Sequence, residues 1–151
     1  MLRVMMAGTV LLAAGYGIGR GSGSMPTKMS EDEQGIRQAV QYYFDGGRNA
    51  DSATMGKGFE QAVAHMIYVR DNKINDVPIP DFLARIHNQR TPEFKPDSNQ
   101  RRVVSVDFAG TSGIAKLETM TPQFIVVDYM SLVKVDGRWK IVNKIFDRLP
   151  R

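Results

Sequence analysis

The spacing of apolar positions changes twice along the chain, and those changes mark out its elements. Ile36, Val40, Tyr43 and Phe44 fall on one helical face. Ser30 and Glu33 ahead of them have capping-box spacing, in which each side chain takes an otherwise orphaned backbone N–H. The pattern predicts a first helix closed by Gly46-Gly47. Asp51 or Ser52 is placed to cap a shorter second helix, with Met55 and Phe59 one turn apart. From Ala64 the period falls to two: His65, Ile67 and Val69 alternate with Met66, Tyr68 and Arg70. Asp71-Asn72-Lys73 is turn chemistry, and residues 74–77 return as a second strand. Pro78-Ile79-Pro80 breaks that strand, and Asp81 to Ile86 reads as a third short helix with Pro80 just inside its start.

The remainder reads as sheet. A polar loop over residues 88–100 carries Pro92 and Pro96. Residues 102–108 then alternate, with Val104, Val106 and Phe108 on one face, and Gly110 to Gly113 turns the chain into a strand over 114–120. Thr121-Pro122 precedes a long strand over 124–135. Asp136-Gly137 is the strongest hairpin signal in the chain and leads into a last strand over 139–146. The predicted order is α-α-β-β-α-β-β-β-β in one α+β domain over 29–151.

Residues 1–28 differ in character. Arg3 followed by the apolar run Val4 to Ala14 has the layout of a secretory signal and is too short and glycine-broken for a stable membrane span. The competing reading takes Met25 or Met29 as the true start, with Gly-Ser-Gly-Ser at 21–24 as a flexible linker. The first places the domain in the periplasm or outside the cell, the second in the cytoplasm.

Charge removes one class of function. Of 20 Lys and Arg against 16 Asp and Glu, three basic residues (Arg3, Arg20 and Lys28) precede Met29, which leaves the domain 17 against 16. A domain so near neutrality has no electrostatic footprint for nucleic acid. The chain has no cysteine, so disulfides, thiolate metal sites and a Cys nucleophile are excluded. Two histidines without convergent carboxylate spacing make no metal site, and no dinucleotide, phosphate-loop or nucleophile-elbow motif is present. No cofactor or metal is expected.

Several residues carry candidate chemistry. Asp128 shares a strand face with Phe124, Val126, Met130 and Leu132, so a carboxylate stands in an apolar row, where a general acid or base would be tuned. Buried polar residues are usually satisfied structural ones, and the competing reading has Asp128 bonded to backbone at a bulge or paired with an arginine. With a two-residue turn at Asp136-Gly137, Leu132 faces Ile141, Met130 faces Asn143, and Asp128 lies beside Ile145, diagonal to Asn143; a bulge would shift that register. His65 leans to the apolar face of its strand, as core or as a catalytic assistant. His87 suits the C-terminal dipole of the third helix. Tyr43 reads as core by its spacing and as a pocket donor by its hydroxyl. Phe82, Phe108, Phe124, Met130, Trp139 and Asn143 are candidate ligand-contacting residues of an enclosed pocket. On the opposite face of the long strand, Ile125, Val127, Tyr129, Val133 and Val135 form an apolar row that calls for cover by a partner subunit.

The element order, with Tyr43-Phe44-Asp45-Gly46, Phe82-Leu83, Asp128 to Leu132 and Trp139 to Phe146, resembles the nuclear transport factor 2-like (SnoaL-like, cone-shaped α+β) superfamily, and within it the "putative lumazine-binding" branch. The resemblance covers roughly residues 31–147. It implies a strongly curved antiparallel sheet wrapped on three helices, a conical pocket, and usually a homodimer. Members include isomerases, dehydratases, cyclases and proteins with no reaction. A tyrosine on the first helix serves as oxyanion donor in the ketosteroid isomerases, which bears on Tyr43; the two aspartates those enzymes need are not both matched. Where relatives often carry a Phe-His-Pro-type turn, this chain reads Phe59-Glu60-Gln61-Ala62, so no role for that histidine carries over. The reading on these grounds is a small-molecule-binding domain for an apolar or heterocyclic ligand, with a cofactor-free isomerase or dehydratase based on Asp128 as the alternative and a protein-interaction module as a third.

Overall fold

The computed structural model describes residues 29–151, so the leader and the question of export lie outside the described residues. The elements are α1 (Glu31–Asn49), α2 (Ser52–Gly56), β1 (His65–Arg70), β2 (Lys73–Pro78), α3 (Ile79–Asn88), β3 (Gln100–Ala109), β4 (Ser112–Met120), β5 (Phe124–Val135) and β6 (Arg138–Pro150). Their order is the one the periodicity predicts. The six strands form one sheet in the order β2-β1-β6-β5-β4-β3. Every pairing is antiparallel except β1 with β6. The three helices cover one face of this curved sheet. Ile36, Val40 and Phe44 of α1 and Ile79, Leu83 and Ile86 of α3 pack there against Leu117, Met130, Leu132 and Ile141.

Ser30 caps α1 by accepting from Glu33 N–H at 3.1 Å, and Asp51 caps α2 by accepting from Thr54 N–H at 3.0 Å. Two of the three two-residue hairpin turns use left-handed backbone at both positions, with φ of 52° and 57° at Asp71-Asn72 and 49° and 74° at Asp136-Gly137; the third, Gly110-Thr111, does so at Gly110 with φ of 58°, as the twist of paired strands demands.

Two helix ends differ from expectation. The Gly46-Gly47 pair does not stop α1, which runs to Asn49 and closes on Ala50 in the left-handed region. Gly46 serves close packing instead: a Cβ there would overlap Met55, the residue through which α2 lies against α1. Nor does α2 reach Phe59. Backbone beyond Gly56 is recruited to the sheet, with Ile141 N–H donating to Gly58 O at 2.8 Å and Glu60 N–H to Ile141 O at 3.0 Å.

Two bulges reset which residues face the helices. In β3, Val103 pairs with Leu117 and Ser105 with Lys116, so Val104 is the extra residue. Val103 therefore joins Val106 and Phe108 on the core side, and Val104 is exposed, contrary to simple alternation. In β6, Ile141 pairs with Leu132 and Asn143 with Ser131, which makes Val142 the extra residue. Up to the bulge the two-residue-turn register holds; beyond it Met130 faces Lys144 and Asp128 faces Phe146, in place of Asn143 and Ile145.

The role of Gly46 is testable. Gly46→Ala is expected to lower stability by about 1–3 kcal/mol, the usual range for overpacking. Gly47→Ala, whose Cβ would meet only the end of the Met55 side chain, is expected to be neutral or stabilising, because alanine is the better helix former. Equal destabilisation of both in chemical denaturation would refute the packing role.

Candidate functional site

The Val142 bulge turns Lys144 inward, under the helices, opposite the apolar row of β5. There it meets Asp128. Lys144 Nζ lies 3.0 Å from Asp128 Oδ1, with the lysine side chain 5% exposed and the aspartate fully buried. At this distance the attraction is chiefly that of two close charges. Tyr43, reaching in from α1, donates its hydroxyl to Asp128 Oδ2 at 3.3 Å. Aromatic faces close the rest of the ammonium's surroundings: Nζ lies 4.3 Å from the Phe146 ring centroid, 5.1 Å from Tyr43 and 5.5 Å from Phe82. Met66 Sδ stands at 3.9 Å.

This is a charge pair removed from water and held by ring quadrupoles and one phenol. Burial, with the Asp128 charge beside it, pushes the Tyr43 phenol up to about 12 against the pull of Lys144. Burial alone would push the Lys144 ammonium down; the Tyr43 oxygen and the Asp128 carboxylate outweigh it and hold the group above the ordinary lysine value. At neutral pH Tyr43 is therefore a proton donor and Lys144 a cation, and neither is a free nucleophile.

Beside the triad lies a recess of about 140 Å³. Tyr43 and Gly47 of α1, Met55 of α2, and Phe82 and Ile86 of α3 line it from the helices; Arg101, Thr119 and Val126 line it from the sheet. Tyr43 and Phe82 are shared between recess and triad, so a bound molecule would touch the rings that surround Lys144. Arg101, with only 9% of its side chain exposed, is gripped by Asp97: Nη1 donates to Oδ1 at 2.7 Å and Nη2 to Oδ2 at 2.6 Å. The Asp97 carboxyl is raised by burial but lowered more by Arg101 and by the Asn99 N–H, which leaves it below the usual carboxylate range.

The structure thus gathers Tyr43, Phe82 and Asp128, with Met130 buried in the adjoining core. It separates the others. Trp139 is buried 6.1 Å from Phe108, centroid to centroid, and donates Nε1–H to Asp32 Oδ1 at 3.0 Å. Asp32 also binds Lys134 at 2.6 Å, and these two bonds hold its carboxyl below the usual range. Phe124 sits near the start of β5 under the Arg148 guanidinium. Two expectations are corrected. Asn143 lies on the outer face of the sheet, because the bulge reverses its side, and its buried Oδ1 has no partner among the described residues. His65 pairs in register with Asn143 on that same outer face and binds Asp76 through Nδ1 at 2.6 Å, so it cannot assist Asp128. Lys144 and Arg101 were not singled out by pattern. The one available signal for Lys144 was the need of Asp128 for a cation, since simple alternation puts Lys144 on the wrong side. Among the described residues no three His, Cys, Asp or Glu side chains converge as a metal site, and no helix is long and apolar enough to cross a membrane.

A six-stranded curved sheet holding three helices over an internal recess defines the nuclear transport factor 2-like fold. The chain belongs to the family described as "Putative lumazine-binding", which matches residues 31–147. It is similar to a nuclear transport factor 2-like protein of unknown function from Shewanella baltica, at 29% identity and a TM-score of 0.71 over 83% of this chain and 100% of the other. A second such protein, from Methylobacillus flagellatus, is 26% identical with a TM-score of 0.66, covering 82% and 98%. A shorter match, 42% identical over 43 residues, joins 27% of this chain to 34% of the aldolase FrzH from a Cladobotryum species.

The buried pair makes two predictions. Asp128→Asn and Lys144→Met are each expected to cost about 3–5 kcal/mol by stranding a charge, whereas the double variant should recover a large part of the loss. Denaturant unfolding of the three variants and the parent checks this; additive losses would mean that the pair is not coupled. In alkaline solution, the folded protein keeps the Tyr43 proton between the ordinary value of 10.0 and about 12, while the unfolded chain loses it. The raised Lys144 acts in the same direction. Stability is therefore expected to be intact below about pH 10 and to fall above it. Phenolate absorbance should show one late-ionising group that vanishes in Tyr43→Phe.

Proposed function

We propose that this domain binds a small aromatic or heterocyclic molecule in the recess between α1, α3 and the β3–β5 sheet. The observation that carries the reading is an apolar recess whose inner wall, Tyr43 and Phe82, is rigidly backed by the Lys144–Asp128 pair. Pockets of this build, mostly apolar with a few fixed polar groups, are the usual form of small-molecule sites. The family's description agrees with a heterocyclic ligand, and nothing in the arrangement requires a reaction. Asp128 is neutralised by Lys144 and does not line the recess, which weighs against its use as a general base.

The enzymatic alternative keeps one supporting observation: the short stretch similar to an aldolase, together with a phenol, a carboxylate and an ammonium in contact. It requires a ligand to reach past Tyr43.

The outer sheet face supports a second role, pairing with another copy of the chain. Ile114, Tyr129 and Ile145 are about half exposed there, around a groove of about 190 Å³ that Asn143 also lines. Such an apolar area on a soluble domain calls for cover.

Native mass spectrometry of protein purified from its own host reads both proposals together. The expected result is a dimer whose subunits each retain a small molecule that is released on unfolding. Empty subunits that also fail to bind any aromatic or heterocyclic compound in a thermal-shift screen would overturn the binding role, and a monomer at micromolar concentration would overturn the pairing.

A further inference from the structure

The recess has one charged side chain in its lining. Arg101 is nine-tenths buried, and its position is fixed before any ligand arrives. Asp97 takes Nη1 and Nη2, Asn99 O accepts from Nη1 at 3.2 Å, and Asp97 is itself held by Asn99 N–H at 2.9 Å. These bonds leave Nε uncommitted among the described residues. Arg48, at the end of α1, adds a weaker through-space attraction to the same carboxylate. Asp128 is engaged by Lys144 and is not among the residues that line the recess. The recess therefore presents a guanidinium at its sheet wall and apolar rings at its helix wall.

Size narrows the ligand further. An apolar cavity of about 150 Å³ holds one benzene ring. At about 140 Å³ this recess accommodates one ring, and a fused bicyclic system would protrude from it.

Resting on the ligand-binding reading above, we propose that the recess selects a monocyclic aromatic or heteroaromatic carboxylate, with its ring against Phe82 and Tyr43 and its carboxylate accepting from Arg101. A guanidinium suits this task, because it is weakly hydrated, always charged and planar. Recognition is by charge-assisted hydrogen bonding to a donor whose own conformational entropy has already been lost to Asp97.

The test is titration of the full chain with benzoate and with its neutral isostere benzamide, followed by NMR shift changes. Benzoate is expected to bind at least tenfold more tightly, and Arg101→Gln should remove that preference. Because Arg101→Gln strands Asp97, the double variant Asp97→Asn/Arg101→Gln is measured beside it and is expected to behave alike while keeping the parent's fold. Equal binding of the two probes would overturn the carboxylate preference and leave the binding role standing. A benzoate preference that survives both variants would also overturn it, by placing the charge recognition elsewhere. Binding of neither probe would overturn it together with the choice of this recess as a single-ring site.

Discussion

The ion pair between Lys144 and Asp128 is the constraint around which the interior is arranged. Two charges taken out of water are strongly penalised unless each finds the other and little else is left unsatisfied. Here the carboxylate has the ammonium on one oxygen and the Tyr43 hydroxyl on the other, and the ammonium has three aromatic faces in place of water. These contacts come from α1, α3, β5 and β6, so the pair forms only when helices and sheet are already in register.

The bulge at Val142 makes the pair available and, in the same step, creates a different outer face. One extra residue in β6 exchanges the sides of every residue after it. Lys144 turns to the core, while Asn143 and Ile145 turn out beside Tyr129 and Ile114. The bulge at Val104 does the same for β3, bringing Val103 in and sending Val104 out. The buried pair behind the recess and the outer groove thus both follow from one backbone device.

Within the recess, rigidity comes from outside the lining. Tyr43 is fixed by Asp128, Phe82 by its place on the Lys144 ammonium, and Arg101 by Asp97 from the 89–99 loop. A wall so braced would lose little freedom on binding the proposed ligand, which would favour discrimination by shape and charge over adaptation.

By itself the sequence determined the elements and their order, because these rest on local physics: the Ser30 and Asp51 caps, the helical stripe through Ile36 and Val40, the period-two strands, and the Asp136-Gly137 turn with its left-handed backbone. It also brought out Asp128 and Tyr43, since a carboxylate in an apolar row and a hydroxyl on a core stripe are anomalies visible in one dimension. Which partner Asp128 takes, and which face Asn143 and His65 occupy, only the tertiary structure decided. A bulge leaves no sure mark in residue pattern, yet it inverts alternation for the rest of the strand. The end of α1 and the shortness of α2 were likewise settled by packing, through Met55 against Gly46 and Ile141 against the backbone of Gly58, contacts between residues that local preference cannot see together.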